Sequence, residues 1–68
     1  MITIILNGNN KQLEKNTSII QLLKSLDLYE KRLAVELNQQ IVPRSNFADT
    51  LLNEQDQVEI VQAIGGGQ

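Results

Sequence analysis

The chain has 68 residues, 41% of them hydrophobic, with six Lys and Arg against eight Asp and Glu for a net charge of −2. That length admits one small domain, and the apolar share is too high for a disordered chain. Cysteine and histidine are both absent, which removes thiol nucleophiles, imidazole acid–base groups, disulfides, the usual zinc sites and thiolate-held iron–sulfur clusters together.

The chain opens on Met1-Ile2-Thr3-Ile4-Ile5-Leu6. This apolar start is too short and lacks the basic flank of a signal peptide or membrane span, so a soluble cytoplasmic protein with no membrane partner is expected. Ile2 to Leu6 is rich in β-branched residues and reads as a strand. Asn7-Gly8 follows, a strong hairpin signal because both positions tolerate positive φ. Lys11 to Lys15, with Leu13 between polar neighbours, reads as the returning strand.

The period then changes. Ile19, Leu22, Leu23 and Leu26 stand at i, i+3, i+4 and i+7, on one face of a helix of about ten residues. Ser18 and Gln21 have the spacing of a capping box at its start, and Leu23, mid-face, is expected to be fully buried. Leu33 to Leu37 alternates, with Leu33, Val35 and Leu37 on one side. Asn38-Gln39-Gln40 turns the chain into a short strand, Ile41-Val42, which Pro43 confines to a sheet edge. Pro43-Arg44 reads as the punctuation of that edge, with a partner contact as the alternative. Phe47, Leu51 and Leu52 supply apolar contacts around a short helical turn, and Val58 to Val61 is the last strand. The order gives a two-layer α+β domain, a mixed sheet of four or five strands with one main helix across one face. The first and last strands pair in parallel at its centre if the crossover is right-handed.

The last residues are Ile64-Gly65-Gly66-Gly67-Gln68. Glycine lacks a Cβ, so such a run is a thin thread with free access to positive φ. Four extended residues reach at most about 14 Å. A domain over 1–64 with a flexible tail over 65–68 is therefore expected, shaped to place its end inside another protein. Nucleic acid is not an expected partner: there is no basic cluster, and Tyr29 and Phe47 alone make no stacking platform. Glu36, Asp56 and Glu59 read as solvated strand faces, and no nucleophile–base constellation supports an enzyme.

These residues carry a resemblance that spans essentially the whole chain. Ile4-Ile5-Leu6-Asn7-Gly8, Thr17-Ser18-Ile19-Ile20-Gln21-Leu22-Leu23, Ala34-Val35-Glu36-Leu37-Asn38, Ile41-Val42-Pro43-Arg44-Ser45 and Asp56-Gln57-Val58-Glu59-Ile60-Val61, followed by the glycines, resemble the ubiquitin-like sulfur carriers of β-grasp fold. The Val-Pro-Arg segment and the short length favour the ThiS family of thiamin biosynthesis. The family often has Gly where Gln39 and Gln55 stand, so those turns are made by other backbone choices or at modest cost. Its members also finish on glycine, whereas Gln68 is the last residue here.

The resemblance implies a carrier that binds no cofactor and is not itself an enzyme. A ubiquitin-activating-like, ThiF-like adenylyltransferase uses ATP to adenylate the terminal glycine carboxylate, here Gly67. Sulfur from a cysteine desulfurase route converts it to a thiocarboxylate, and a ThiG-like thiazole synthase receives that sulfur. Gly65, Gly66 and Gly67 would thread the partner's channel, with Gly65 as spacer. Strand alternation makes Ile5, Val61 and Ala63 the docking residues, with core packing as the alternative for each. Gln68 is expected to be removed before activation or to be foreign to the active form. Two rival readings stay open: a carrier for molybdopterin or another sulfur-transfer pathway, and a β-grasp adaptor that is never activated.

Overall fold

A computed structural model describes residues 1–62 of the chain. Its elements are β1 (Ile2–Leu6), β2 (Asn9–Leu13), α1 (Ile19–Ser25), β3 (Leu33–Leu37), β4 (Gln40–Val42), a 3-10 turn over Arg44–Asn46, and β5 (Gln57–Gln62). They form one five-stranded sheet of order β2-β1-β5-β3-β4. The two hairpins, β1–β2 and β3–β4, are antiparallel, and β5 enters between them, parallel to β1 and antiparallel to β3. The sheet is thus mixed, with the expected parallel pair at its middle and β4 at an edge.

Alternation along the strands sorts the two faces. Ile2, Ile4, Val35, Val58 and Ile60 are buried together with Ile19, Leu22 and Leu23 of α1, and with Leu13, Phe47 and Leu52. This cluster is the single core among the described residues, lying between helix and sheet. The other sheet face carries Thr3, Ile5, Gln57, Glu59, Val61, Ala34, Glu36 and Ile41, as the strand registers require.

The start of α1 is fully capped. Ser18 Oγ accepts from the Gln21 N–H (3.2 Å), and Gln21 Oε1 accepts from the Ser18 N–H (2.9 Å), completing the expected capping box. The N–H groups of Ile19 and Ile20 donate to the carbonyls of Thr50 and Phe47. The orphan donors of a helix N-terminus are therefore spent inside the fold, and they lace the segment after β4 onto the helix. At the other end, Asp27 N–H donates to Lys24 C=O (3.1 Å) and Leu28 N–H to Leu23 C=O (2.8 Å), with Asp27 at φ 60°. That is a Schellman closure, made here without the usual glycine.

Three sequence expectations need correction. The returning strand spans Asn9–Leu13 instead of Lys11 to Lys15, because a two-residue turn pairs Asn9 directly with Leu6. The helix has 7 residues, not about ten, because Leu26 is its C-cap and Asp27 reverses the chain. Leu51 is 48% exposed, whereas Phe47 and Leu52 are buried. Leu51 makes an isolated backbone bridge to Ser18, so its place is set by the main chain and its side chain turns outward.

Candidate functional site

Strand β5 is the central strand of the sheet and the last described element, and in the sequence it precedes the glycine run. Two asparagines hold it, and both sit in hairpin turns. Asn38, at φ 51°, donates its backbone N–H to Gln57 C=O (2.7 Å), while its Oδ1 accepts from the Gln57 N–H (2.9 Å). Asn7, at φ 48°, acts further along. Its N–H donates to Val58 C=O (2.9 Å), its Oδ1 accepts from the Ile60 N–H (2.8 Å), and its Nδ2 donates to Ile60 C=O (3.3 Å). Asparagine is suited to both tasks, since it tolerates the left-handed region and carries an amide that can replace a backbone partner. The sequence marked Asn7 and Asn38 only as turn residues. The repeated choice of Asn at the first position of both hairpin turns was the available signal.

The start of β5 is tied as well. Thr3 N–H donates to Glu54 Oε1 (2.9 Å), and Gln55 N–H donates to Thr3 C=O (2.7 Å). The Thr3 hydrogen bond, and next that from the Gln55 side chain, hold the Glu54 carboxyl below the ordinary carboxylate value. Asp56 is structural: its carboxylate accepts from the Asn53 N–H (2.7 Å) and from Asn38 Nδ2 (3.1 Å).

Of the residues singled out for docking, Ile5 and Val61 both lie on the sheet face away from α1. Ile5 is half-buried and level with Gln57. Val61 is 57% exposed and directly opposite Ala34. Four residues of strand separate the two levels, about 13 Å, so they mark two ends of the face and do not touch across one rung. Between them lie Glu59 and Glu36, directly opposite one another, with Ile41, 72% exposed, beside Glu36 on β4. Ala63, Gly65, Gly66 and Gly67, and the boundary expected after residue 64, lie outside the described residues.

Arg44 is exposed, but its side chain is tied back onto the fold. Its Nη1 and Nη2 donate to the carbonyls of Tyr29 (3.5 Å) and Lys31 (3.1 Å), and its guanidinium lies 5.4 Å from the Phe47 ring centre. It therefore pins the connection between α1 and β3 against the end of β4. Among the described residues no three His, Cys, Asp or Glu side chains gather to hold a metal ion, and no helix is long and apolar enough to cross a membrane.

Two hairpins clasping a central fifth strand, with one helix across the inner face, define a β-grasp protein of the ubiquitin-like class. Residues 4–67 match the sequence model of the ThiS family, and the chain belongs to that family. The uncharacterized protein ycf40 of Pyropia yezoensis is 41% identical over 66 residues, 97% of this chain and 93% of its own. The sulfur carrier protein ThiS of Escherichia coli (strain K12) is 34% identical over 64 residues, covering 94% of this chain and 97% of its own. A thiazole synthase of Paramagnetospirillum magneticum is 36% identical over 64 residues, 94% of this chain but 20% of its own length. The crystal structure of the thiamine biosynthesis protein (ThiS) from Geobacter metallireducens superposes with a TM-score of 0.83 at 26% identity, covering 97% of this chain and 100% of that one. Carriers of this family are not themselves enzymes.

Proposed function

We propose that the protein is the sulfur carrier of thiamin biosynthesis, activated at Gly67. The observation that carries this reading is the family match, which runs through residue 67 and so takes in Gly65, Gly66 and Gly67. A carboxylate is a poor electrophile, so it must first be activated. A ThiF-like adenylyltransferase joins the Gly67 carboxylate to AMP, and pyrophosphate from ATP leaves. A persulfide sulfur, originating from a cysteine desulfurase, then attacks the acyl carbon and displaces AMP. A thiol cleaves the resulting acyl disulfide, leaving a thiocarboxylate on Gly67 and a disulfide on the donor side. This division of labour suits a chain with no Cys and no His, because every nucleophile belongs to a partner.

A ThiG-like thiazole synthase is the recipient in this reading. The thiazole synthase of Paramagnetospirillum magneticum supports it, since a segment similar to this chain occupies 20% of that protein. Covalent linkage of donor and recipient raises their effective concentration. Ile5 and Val61, on the sheet face that α1 leaves open, are proposed docking residues, and Ala63 is proposed with them from its place in the sequence. Gly65, Gly66 and Gly67 form the thread, because any Cβ would widen it and restrict φ.

Gln68 is incompatible with activation at Gly67, since a peptide carbonyl there is resonance-stabilised and offers no carboxylate. A carboxylate even one residue beyond Gly67 is displaced by up to about 3.6 Å, and attack needs atoms held near 3–3.5 Å. The form ending on Gly67 is therefore the one activated. Chains ending on Gly67 and on Gln68 are incubated separately with the adenylyltransferase and ATP, and pyrophosphate release is followed. Release from the Gly67 form alone is expected. Equal rates from an unprocessed Gln68 form would overturn this account of the end.

A further inference from the structure

We infer that Asn7 is a positioning residue for activation, a side-chain clamp that sets the direction in which the C-terminal segment leaves the domain. The inference rests on the carrier reading above but is argued from the β1–β5 junction. Backbone pairing between these parallel strands covers only Ile5 with Gln57 and Leu6 with Val58. At Asn7-Gly8 the chain turns away into β2, with φ 48° and 85°. Without a substitute, the N–H and C=O of Ile60 would face the place β1 has just vacated. The Asn7 amide fills it, accepting from the Ile60 N–H at 2.8 Å and donating to its C=O at 3.3 Å. The side chain behaves as one more residue of β1.

Ile60 stands seven positions before Gly67 in the sequence. Beyond Ile60 the described part of β5 pairs only with β3, through Ala34↔Val61 and Leu33↔Gln62. Asn7 is thus the last tie on the β1 side among the described residues. Loss of the clamp widens the range of directions from which the end can approach an active site. Only a fraction of the resulting ensemble is competent to bind, and apparent affinity falls by that fraction. The chemical step, once the end is bound, is unaffected.

Asn7→Gly isolates this role, because glycine keeps the positive-φ turn and deletes only the amide. Asn7→Asp keeps the acceptor for the Ile60 N–H and loses the donor to its C=O. Pyrophosphate release by the adenylyltransferase, measured on chains ending at Gly67, is expected to show KM raised about tenfold for Asn7→Gly at unchanged kcat, a size set by two modest hydrogen bonds. Asn7→Asp should fall between Asn7→Gly and the parent. Amide exchange provides an arm free of any partner: Ile60, and next to it Val61, whose N–H faces β3, should exchange faster in Asn7→Gly, with Leu22 and Leu23 unchanged. An unchanged KM overturns the inference, and so does a uniform rise in exchange across the core, which marks a purely structural loss. A parent chain that is never activated overturns the carrier reading instead, and the exchange of Ile60 then decides the clamp by itself.

Discussion

Six non-glycine residues hold positive φ among the described residues, including Gln39 at 72° and Gln55 at 69°. These are the two positions where the ThiS resemblance leads one to look for glycine, and the backbone has kept the left-handed conformation without it. That conformation costs a residue with a Cβ about 1–2 kcal/mol. Gln39→Gly would convert the β3–β4 turn to Asn-Gly. It should stabilise the domain by about 0.5–1 kcal/mol, since the freer unfolded state of glycine offsets part of the relief. Urea unfolding measures this, and a lower midpoint at unchanged slope would contradict it. Glu54 gives a pH-dependent case. Its carboxyl is held below the ordinary value, first by the Thr3 hydrogen bond and then by the Gln55 side chain. A depressed folded-state pKa adds stability above the unfolded value, and that stability is lost as pH falls through the folded one. The stability gap between the parent and Glu54→Gln should therefore close on acidification below the ordinary carboxylate range. Melting temperatures across that range decide it, and a gap constant with pH would refute the assignment. What the sequence did not disclose at this scale is the reach of Asn7. Turn propensity is local, whereas its partner Ile60 is 53 positions away and is found only once the strand register is known.

Elements were more legible than their ends. The apolar spacing Ile19, Leu22, Leu23 correctly placed three fully buried side chains, because a 3.6-residue period can be satisfied only by one face. The length was overstated because Leu26 is apolar and still packs on the core while serving as the cap. Strand β2 was hard to read for the opposite reason. Asn9 and Asn10 have little strand preference of their own, and their place is dictated by pairing with Leu6 and Ile5. Leu23 tests the helix assignment. With no exposed surface in a core this small, Leu23→Ala should cost about 2–5 kcal/mol, a large part of the stability a domain of this size can hold. Denaturant unfolding of the variant measures it. A change below about 0.5 kcal/mol would mean that the site behaves as surface.

At the scale of the molecule, one helix and two hairpins enclose a single strand, and that strand leads to the glycines. The family was legible here because the motifs that carry the resemblance run from Ile4-Ile5-Leu6-Asn7-Gly8 to the glycines, and the family match covers the same residues. The make-up of the open sheet face was only partly legible, since alternation assigns Ile5 and Val61 to one side without revealing that Glu36 and Glu59 lie between their levels. Gly66→Ala should leave thermal unfolding unchanged while sharply reducing adenylation, because a methyl group widens the thread and narrows its φ range. An undiminished rate would remove the steric requirement for bare glycine.

The central claim is that Gly67 becomes a thiocarboxylate, and intact mass measures that directly. The chain ending on Gly67 is incubated with ATP, the adenylyltransferase and a persulfide source, alongside the Escherichia coli carrier as a control. The account predicts a gain equal to one sulfur replacing one oxygen, located by fragmentation to Gly67. No gain in this chain under conditions that convert the control would contradict it.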